Sequence, residues 1–342
     1  MINSDDVSNI DEVRAIAAGK FRRFHGIPWY KQATFVSVQL KNLRDALFFA
    51  FGLVQSFFMM LFNRPDVVFV KGGYVGLPVG LAATVLNIPL VIHESDTHMG
   101  LTNKILSKYA SAVGVGMPLD NYQFGDVEVK FVGVPVSSDY RLVDEKLEAT
   151  YRKQLGIDPN SKVVVITGGS QGAQMINAAA VAIAKNLSAK VTIIHQTGAE
   201  TYEATKEALR AELGGETPDN YLLLPFIEKD MHVYLGAGDV VISRAGNTVM
   251  SELAISAKPL VLIPNPKLVY GHQLTNAKAY EKAGAAVVVD EQEMQDDPNV
   301  LLETVLGLLE SPEKLSELSA SLHELAKPQA ATDIAKLIIS KA

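Results

Sequence analysis

Between Asp239 and Glu252 a β-branched run, Val240 to Ile242, gives way to a turn, Ser243 to Gly246, and then to a predicted helix. A helix start presents amide hydrogens without intrahelical partners at the positive end of the helix dipole, so it receives anions such as phosphate. Asn247 or Thr248 is expected to cap that helix, with Ser251 and Glu252 in its first turn or so. From there Glu252 can accept hydrogen bonds from two vicinal hydroxyls. The stretch is therefore a candidate grip on a ribose and a diphosphate; it also fits an ordinary strand-to-helix junction with a helix-dipole glutamate.

Other strand ends carry further chemistry. Gly168-Gly169-Ser170-Gln171-Gly172-Ala173 follows the apolar run 163–167 and opens a helix. Glycine backbones approach a phosphate closely, and Ser170 can donate a hydroxyl hydrogen. A dinucleotide site would want an acidic residue at the end of the next strand, which instead ends in His195-Gln196-Thr197-Gly198. Gly168 to Gly172 also spells the Gly-x-Ser-x-Gly of a hydrolase elbow, with Asp239 and His272 following in chain order. A phosphate cradle is the preferred reading, with a tight structural turn as the alternative. After the strand 222–225, the backbone of Phe226 and Ile227 can pair with a flat heterocycle, unless both simply fill the core. Gln273 and Asn276 lie three apart on one helix face, and paired amides read sugar hydroxyls. In the first half, Gly72-Gly73-Tyr74-Val75-Gly76-Leu77-Pro78 is a flexible turn into a helix and also suits a phosphate. His93-Glu94-Ser95-Asp96 sets an imidazole and two carboxylates at a strand end, so His93 and Glu94 are candidate general bases, with a buried His93 satisfied by its neighbours as the alternative. The sequence has no Asp-x-Asp, His-Glu-x-x-His or Walker lysine loop, and no metal or cofactor is expected.

The elements that must position these residues follow from composition and pattern. The chain has 342 residues, 48% of them hydrophobic, enough for two domains each with its own core. A net charge of −7 disfavours a nucleic-acid partner. The lack of cysteine excludes disulfides and thiolate metal sites and suits a reducing compartment. Residues 1–12 are polar and acidic, expected to fray and unlike a cleavable signal, and a basic loop with Lys20, Arg22, Arg23 and His25 follows. A helix is predicted over 37–63, apolar nearly all round from 46 to 62. It reads as a core helix or as a surface helix dipping phenylalanines into a bilayer beside Lys41 and Arg44. A membrane span is disfavoured, because the run is slightly short and is interrupted by Gly52, Gln55 and Ser56. Strands are predicted at 67–70, 89–93, 112–115 and 129–132, with a helix over 77–86. A polar linker is expected over 137–150. Six further strands are expected at 163–167, 191–195, 222–225, 240–242, 260–263 and 286–289, with a helical tail broken near Pro328. Strand–helix alternation implies an α/β fold with parallel sheets covered on both faces, and ligands at the carboxyl ends of the strands.

In order and spacing these loops resemble one family. The resemblance rests on Gly72-Gly73-Tyr74 with Pro78, His93-Glu94, Gly100-Leu101-Thr102-Asn103-Lys104 and Gly168 to Ala173. It continues through His195 to Gly198, Phe226-Ile227, Arg244 to Glu252, Gln273 with Asn276, and Glu281 to Ala285. From about residue 13 onward the chain resembles the MurG-type glycosyltransferases, which move N-acetylglucosamine from UDP to lipid I, giving lipid II for peptidoglycan. The resemblance implies a GT-B fold: two Rossmann-like doubly wound domains facing across a cleft. Residues 1–137 would serve acceptor and membrane, and 150–326 would hold UDP-N-acetylglucosamine. A helix at about 327–342 would pack back on the first domain. It also implies that the Ile227 backbone contacts uracil and Glu252 the ribose. Ser170 and the helix start after Gly246 would meet the diphosphate, and Gln273 with Asn276 the sugar. Asp96, Arg244, Asn247, Thr248, Val249, Met250 and Ser251 would join them in binding substrate. Phe57 and Phe58 would touch the membrane, placing the protein peripherally on the cytoplasmic face of the cell membrane. The implied reaction is inverting: a base deprotonates the acceptor hydroxyl, which attacks the anomeric carbon as UDP leaves.

The chain departs from the family in places. The family opens with a strand and a Gly-Gly-Thr-Gly-Gly-His loop, so this chain is expected to be N-terminally shortened, with its first βαβ unit missing. Gly-Asn-Pro-Val-Arg reads Gly133-Val134-Pro135-Val136-Ser137, His-Glu-Gln-Asn reads His93-Glu94-Ser95-Asp96, and the glutamine before Gln273 is His272. Two rivals follow: a nucleotide-sugar-binding or scaffold protein without turnover, and another GT-B enzyme such as a UDP-sugar epimerase.

Overall fold

Short runs rich in Val, Ile and Leu form two separate parallel sheets in the computed structural model, which describes residues 10–20, 22, 35–122, 124–169, 172–266 and 271–342. The first sheet holds β1 (Val68–Val70), β2 (Leu90–Glu94), β3 (Ala112–Val115) and β4 (Glu128–Phe131), in that order. The second holds β5 (Val163–Thr167), β6 (Thr192–Gln196), β7 (Tyr221–Leu224), β8 (Val240–Ser243), β9 (Leu260–Leu262) and β10 (Val287–Val288). Its order is β10-β9-β8-β5-β6-β7, so the chain winds outward in both directions from the β5–β8 pair. That reversal opens a crevice beyond the carboxyl ends of β5 and β8.

Helices close both faces of the second sheet. Ile166, Ile176, Leu187 and Leu209 centre one fully buried cluster, and Val165, Leu235, Leu253 and Leu260 centre the other. In the first lobe, Val70, Ile92, Leu106 and Val113 fill one face. On the other, Val91, Ala112 and Val132 meet Ile334 and Leu337 of the Ala330–Ile339 helix, so the chain's last helix packs on its first sheet. The return connection, which contains Pro328, lies against the outgoing one. A Cβ on Gly133 (φ 82°) would stand 2.3 Å from Lys327 Cβ, and the Lys327 ammonium sits 4.4 Å from the Phe131 ring centroid.

Two elements differ from the sequence expectation. The polar run 137–150 is only partly a linker, because Glu145–Gln154 is helical and the Asp144 carboxylate caps it by accepting from Leu147 N (2.8 Å). Arg152 pins that helix to the second lobe. It donates to the Ala237 and Pro159 carbonyls (2.9 Å each), to Asp239 (2.8 Å) and to Glu148 (2.7 Å), while Lys258 pairs with the other Glu148 oxygen. A charge pattern that reads as loop is thus a buried ionic rivet. The helix Gly73–Val85 begins at Gly73, four residues earlier than the pattern suggests, because Gly72 (φ 93°) and Gly73 (φ 76°) complete the turn within two residues.

The Val36–Phe62 helix takes the surface alternative and is not a core helix. Gly52, Gln55 and Asn42 form a seam against which Ala15, Ala17 and Arg22 lie. Gln55 donates to Ala15 O (2.8 Å) and accepts from Ala17 N (3.1 Å), and Asn42 exchanges bonds of 2.9 and 3.1 Å with the Arg22 backbone. A Cβ on Gly52 would lie 1.8 Å from the Ala17 carbonyl oxygen, so only glycine admits the backbone there. The opposite side bears Leu40, Leu43, Leu47, Phe51, Val54, Phe58, Leu61 and Phe62, each between 49% and 79% exposed. The helix is also long and apolar enough to cross a membrane.

Candidate functional site

An open cavity of about 800 Å³ occupies the β5–β8 crevice. Gly168, Gly169 and Gly172 form one wall, and Arg244 with Gly246 to Val249 and Glu252 the other. The glycine types are required here: Gly169 and Gly172 have φ of 79° and 72°, and a Cβ on Gly172 would stand 2.3 Å from Thr197 O. Thr167 fixes the loop entry, its hydroxyl accepting from Gly169 N (3.1 Å) and donating to Gln196 (2.8 Å). Ser170, the expected phosphate donor, lies outside the described residues. Beneath the loop His195 is fully buried, with Nδ1 accepting from the Tyr221 hydroxyl (2.9 Å) and Nε2 donating to Asn177 (3.0 Å). Asn177 in turn donates to Thr197 O (2.9 Å), the atom Gly172 packs on. Burial pushes His195 down to about 3, so it stays neutral and acts as scaffolding.

On the opposite wall the helix Asn247–Ser256 begins with Asn247 itself. Gly246 takes the capping position in extended conformation, and no side chain caps the first turn. Asn247 and Thr248 are therefore helical residues and not caps, which leaves the first amides open to an anion. Arg244 is held at the wall by the buried Glu291 carboxylate and by the Ile263 carbonyl (3.1 Å). Glu252 faces the same cavity half-buried, and burial raises it to about 7, opposed by the neighbouring Tyr140 hydroxyl. Phe226, 46% exposed, stands open beside Ile227 and does not fill the core. Gln273 lines the cavity with its Oε1 accepting from Asn265 N (2.9 Å).

The structure thus gathers Ile227, Arg244, Asn247, Thr248, Val249, Glu252 and Gln273, and leaves other expected residues elsewhere. Met250 is fully buried in the core, one turn from the helix start on its inner face. Ser251 borders a separate small crevice beside Gly116, Tyr280 and Lys327. Asn276 is fully buried between the lobes, hydrogen-bonded to Asp96 and Thr97, and Asp96 belongs to the first lobe's cavity. The hydrolase-elbow alternative fails, because Asp239 sits at the amino end of β8, bound to Arg152 and to Val163 N (2.7 Å), on the far side of the sheet. Sequence reasoning missed Glu291, whose only signal was an acidic residue at the start of the helix after the last strand, and Met231 and Asn265, which carried none.

In the first lobe a second cavity of about 500 Å³ is lined by Lys20, Lys71, Gly72, Gly73, Tyr74, Glu94 and Asn103, among others. His93 is not there. It is fully buried with Nε2 donating to Gly133 O (2.8 Å), and burial lowers its pKa. Its role as a base is corrected to a structural one. Glu94 borders the cavity and organises its loop, accepting from Gly100 N (2.9 Å), Asn103 (3.0 Å) and Asp96 N (3.2 Å), with its pKa raised by burial.

Two parallel-sheet lobes, with a glycine-walled cleft at the switch point of the second, define the class: an α/β protein of the GT-B architecture. Comparison narrows it. Residues 163–338 match the glycosyltransferase family 28 C-terminal domain and residues 16–115 the glycosyltransferase family 28 N-terminal domain. The UDP-N-acetylglucosamine–N-acetylmuramyl-(pentapeptide) pyrophosphoryl-undecaprenol N-acetylglucosamine transferase of Desulfitobacterium hafniense is 35% identical over 283 residues, 82% of this chain and 75% of its own. The Listeria welshimeri protein of the same name is 34% identical over 306 residues, 89% of this chain and 81% of its own. The crystal structure of Acinetobacter baumannii MurG superposes with a TM-score of 0.69 at 29% identity, covering 86% of this chain and 79% of that one. A UDP-GlcNAc 2-epimerase from Neisseria meningitidis (TM-score 0.59, 15% identity, 84% and 80% covered) shares the fold alone. This chain belongs to glycosyltransferase family 28.

Proposed function

We propose that this chain transfers N-acetylglucosamine from UDP-N-acetylglucosamine to the undecaprenyl-diphosphate-linked N-acetylmuramyl-pentapeptide, lipid I, giving lipid II. The observation that carries the reading is one cavity holding the uncapped helix start at Asn247, Glu252 one turn on and the open Ile227 edge. The relatives named for this transfer support it. The diphosphate rests between the helix amides and the Gly168–Gly172 loop, including Ser170. Glu252 accepts from the ribose hydroxyls, the Ile227 backbone meets uracil and Gln273 reads the sugar. As the anomeric bond breaks, the same amides and Arg244 stabilise the charge on departing UDP.

The acceptor reading rests on the first lobe. Gly72 and Gly73 open a 13-residue helix, and Lys20 and Lys71 stand beside them, a setting that suits the acceptor's diphosphate. Glu94, the candidate base that borders this cavity, is the residue we assign to take the proton of the attacking hydroxyl. The exposed apolar face of Val36–Phe62, with Phe58 on it and the half-buried Phe57 beside it, docks on the cytoplasmic membrane surface where the lipid resides.

The test is transfer of labelled N-acetylglucosamine from its UDP ester to a lipid I analogue in vesicles. Labelled lipid II is expected. Tight UDP-N-acetylglucosamine binding without transfer would replace this reading with a binding protein, and donor turnover without any lipid would replace it with an epimerase.

A further inference from the structure

Glu252 has a partner that stands outside the donor cavity. The Tyr140 hydroxyl donates to its carboxylate, yet Tyr140 is not among the residues that line the cavity. Tyr140 belongs to the connection between the lobes, after β4 and before the Glu145–Gln154 helix. Bonds within and beyond that connection hold it. The Ser137 hydroxyl donates to Asp139 (2.8 Å), and Ser137 O accepts from Tyr140 N (3.3 Å). Val143 N donates to Ser256 O (3.3 Å), at the last turn of the helix that carries Glu252. The Tyr140 ring is half-buried against the second lobe's core. It stands edge-on to His232, centroids 6.1 Å apart, and His232 stands edge-on to the buried Tyr151 at 5.8 Å. Backbone and ring are thus both fixed, and they carry the hydroxyl to one carboxylate.

A carboxylate has about four lone-pair sites on two oxygens, and its last side-chain torsion is broad. Gripping a vicinal diol needs one orientation of it. Among the described residues the Tyr140 hydroxyl is the one side-chain donor acting on Glu252. Arg244 on the same wall is paired with Glu291, while Asp139 and His232 face Tyr140 instead.

We infer that Tyr140 is a positioning residue for the donor's ribose: it donates to Glu252 from outside the cavity and sets the carboxylate so that its remaining lone pairs meet both ribose hydroxyls. It touches no part of the nucleotide and works through Glu252 alone. The inference rests on the donor reading above. It places one determinant of the second lobe's site on the chain that joins the lobes.

Tyr140→Phe keeps the ring and removes the hydroxyl. Calorimetry on the full chain with UDP and with 2′,3′-dideoxy-UDP, which lacks both hydroxyls offered to Glu252, separates positioning from packing. Tyr140→Phe should bind UDP about three- to tenfold more weakly, the net worth of one hydrogen bond, and bind the dideoxy nucleotide as the parent does. Because the hydroxyl favours ionised Glu252, its loss should also move the rise of UDP affinity to higher pH. In a Glu252→Ala chain the same substitution should change UDP affinity no further. Equal losses for the two nucleotides would overturn the positioning role. So would an unchanged UDP affinity and pH profile in a Tyr140→Phe protein of native circular dichroism, or additive losses with Glu252→Ala. A parent chain that binds the dideoxy nucleotide as tightly as UDP would instead overturn the ribose grip of Glu252, and the inference with it.

Discussion

In the six-stranded sheet the order parts at β5 and β8 and the larger cavity sits in that parting; in the four-stranded sheet the order runs one way from β1 to β4, and the smaller cavity stands at the end of β1 and β2. Topology alone gives the second lobe a crevice. The first lobe makes its cavity from loops, by tying Glu94 to Gly100 and Asn103. Their coverings differ as well. The second lobe closes both faces with its own helices, whereas the first turns a phenylalanine-rich helix outward and takes its other cover from the C-terminus. On the function proposed above, a donor nucleotide that arrives from water would need a finished pocket, and a lipid-linked acceptor that arrives at a surface would be met by the lobe whose apolar face is in the open.

The sharpest way to break this contrast is to dismantle the second lobe's rigidity. Arg152→Ala leaves Glu148 and Asp239 without their guanidinium in a buried setting, and should cost about 3–5 kcal/mol in urea unfolding. A loss under about 1 kcal/mol would show that the rivet does not hold this lobe. Gly172→Ala forces a side chain onto Thr197 O at positive φ and should destabilise by about 1–3 kcal/mol while loosening diphosphate binding. Unchanged thermal unfolding and UDP affinity would mean the loop is softer than its geometry implies.

Glu252→Gln should weaken UDP-N-acetylglucosamine by about 1–3 kcal/mol through loss of charge-assisted hydrogen bonds. The sign with pH follows from its pKa, raised by burial from 4.5 to about 7. Ionised Glu252 is disfavoured by the fold, so its contribution to stability declines as pH rises from 4.5 through 7, whereas donor affinity climbs over the upper part of that range. At pH 8 the glutamine variant should melt no lower than the parent while binding donor less well; a lower melting point would contradict the assignment. The smallest effect concerns the first lobe. Aspartates at Phe57 and Phe58 should lower partition onto anionic vesicles about tenfold and leave donor affinity alone. Undiminished vesicle binding would move membrane contact elsewhere on the chain.

Much of this was legible in the sequence, for reasons that differ by residue. Val163 to Thr167 and Val240 to Ser243 read as buried parallel strands because β-branched runs on both faces have no other home in an α/β chain. That Glu252 faces the cavity was legible because a strand, a turn and a helix fix its height above the sheet. Asn247 misled because a capping side chain and a first-turn side chain look alike in sequence; the extended backbone at Gly246 decides between them. Asn276 misled for a longer-range reason. Its spacing from Gln273 gives a shared helix face, but that helix lies between the lobes, so one amide meets the cavity and the other meets Thr97. Gln55 and Gly52, which read as interruptions in an apolar run, are a docking seam for residues 40 and 35 positions earlier in the chain, Ala15 and Ala17.

The backbone crosses between the lobes twice, once after β4 and once through Lys327 and Pro328, and at Gly133 the two crossings touch. Two tethers set far apart would freeze the halves or force them to slide. Two tethers laid side by side make a spine, as in a bound book, and leave the halves free to swing about that single line. Opening and shutting is then one motion with one axis, and any bond made at the far edge of the pages has the longest lever arm over it.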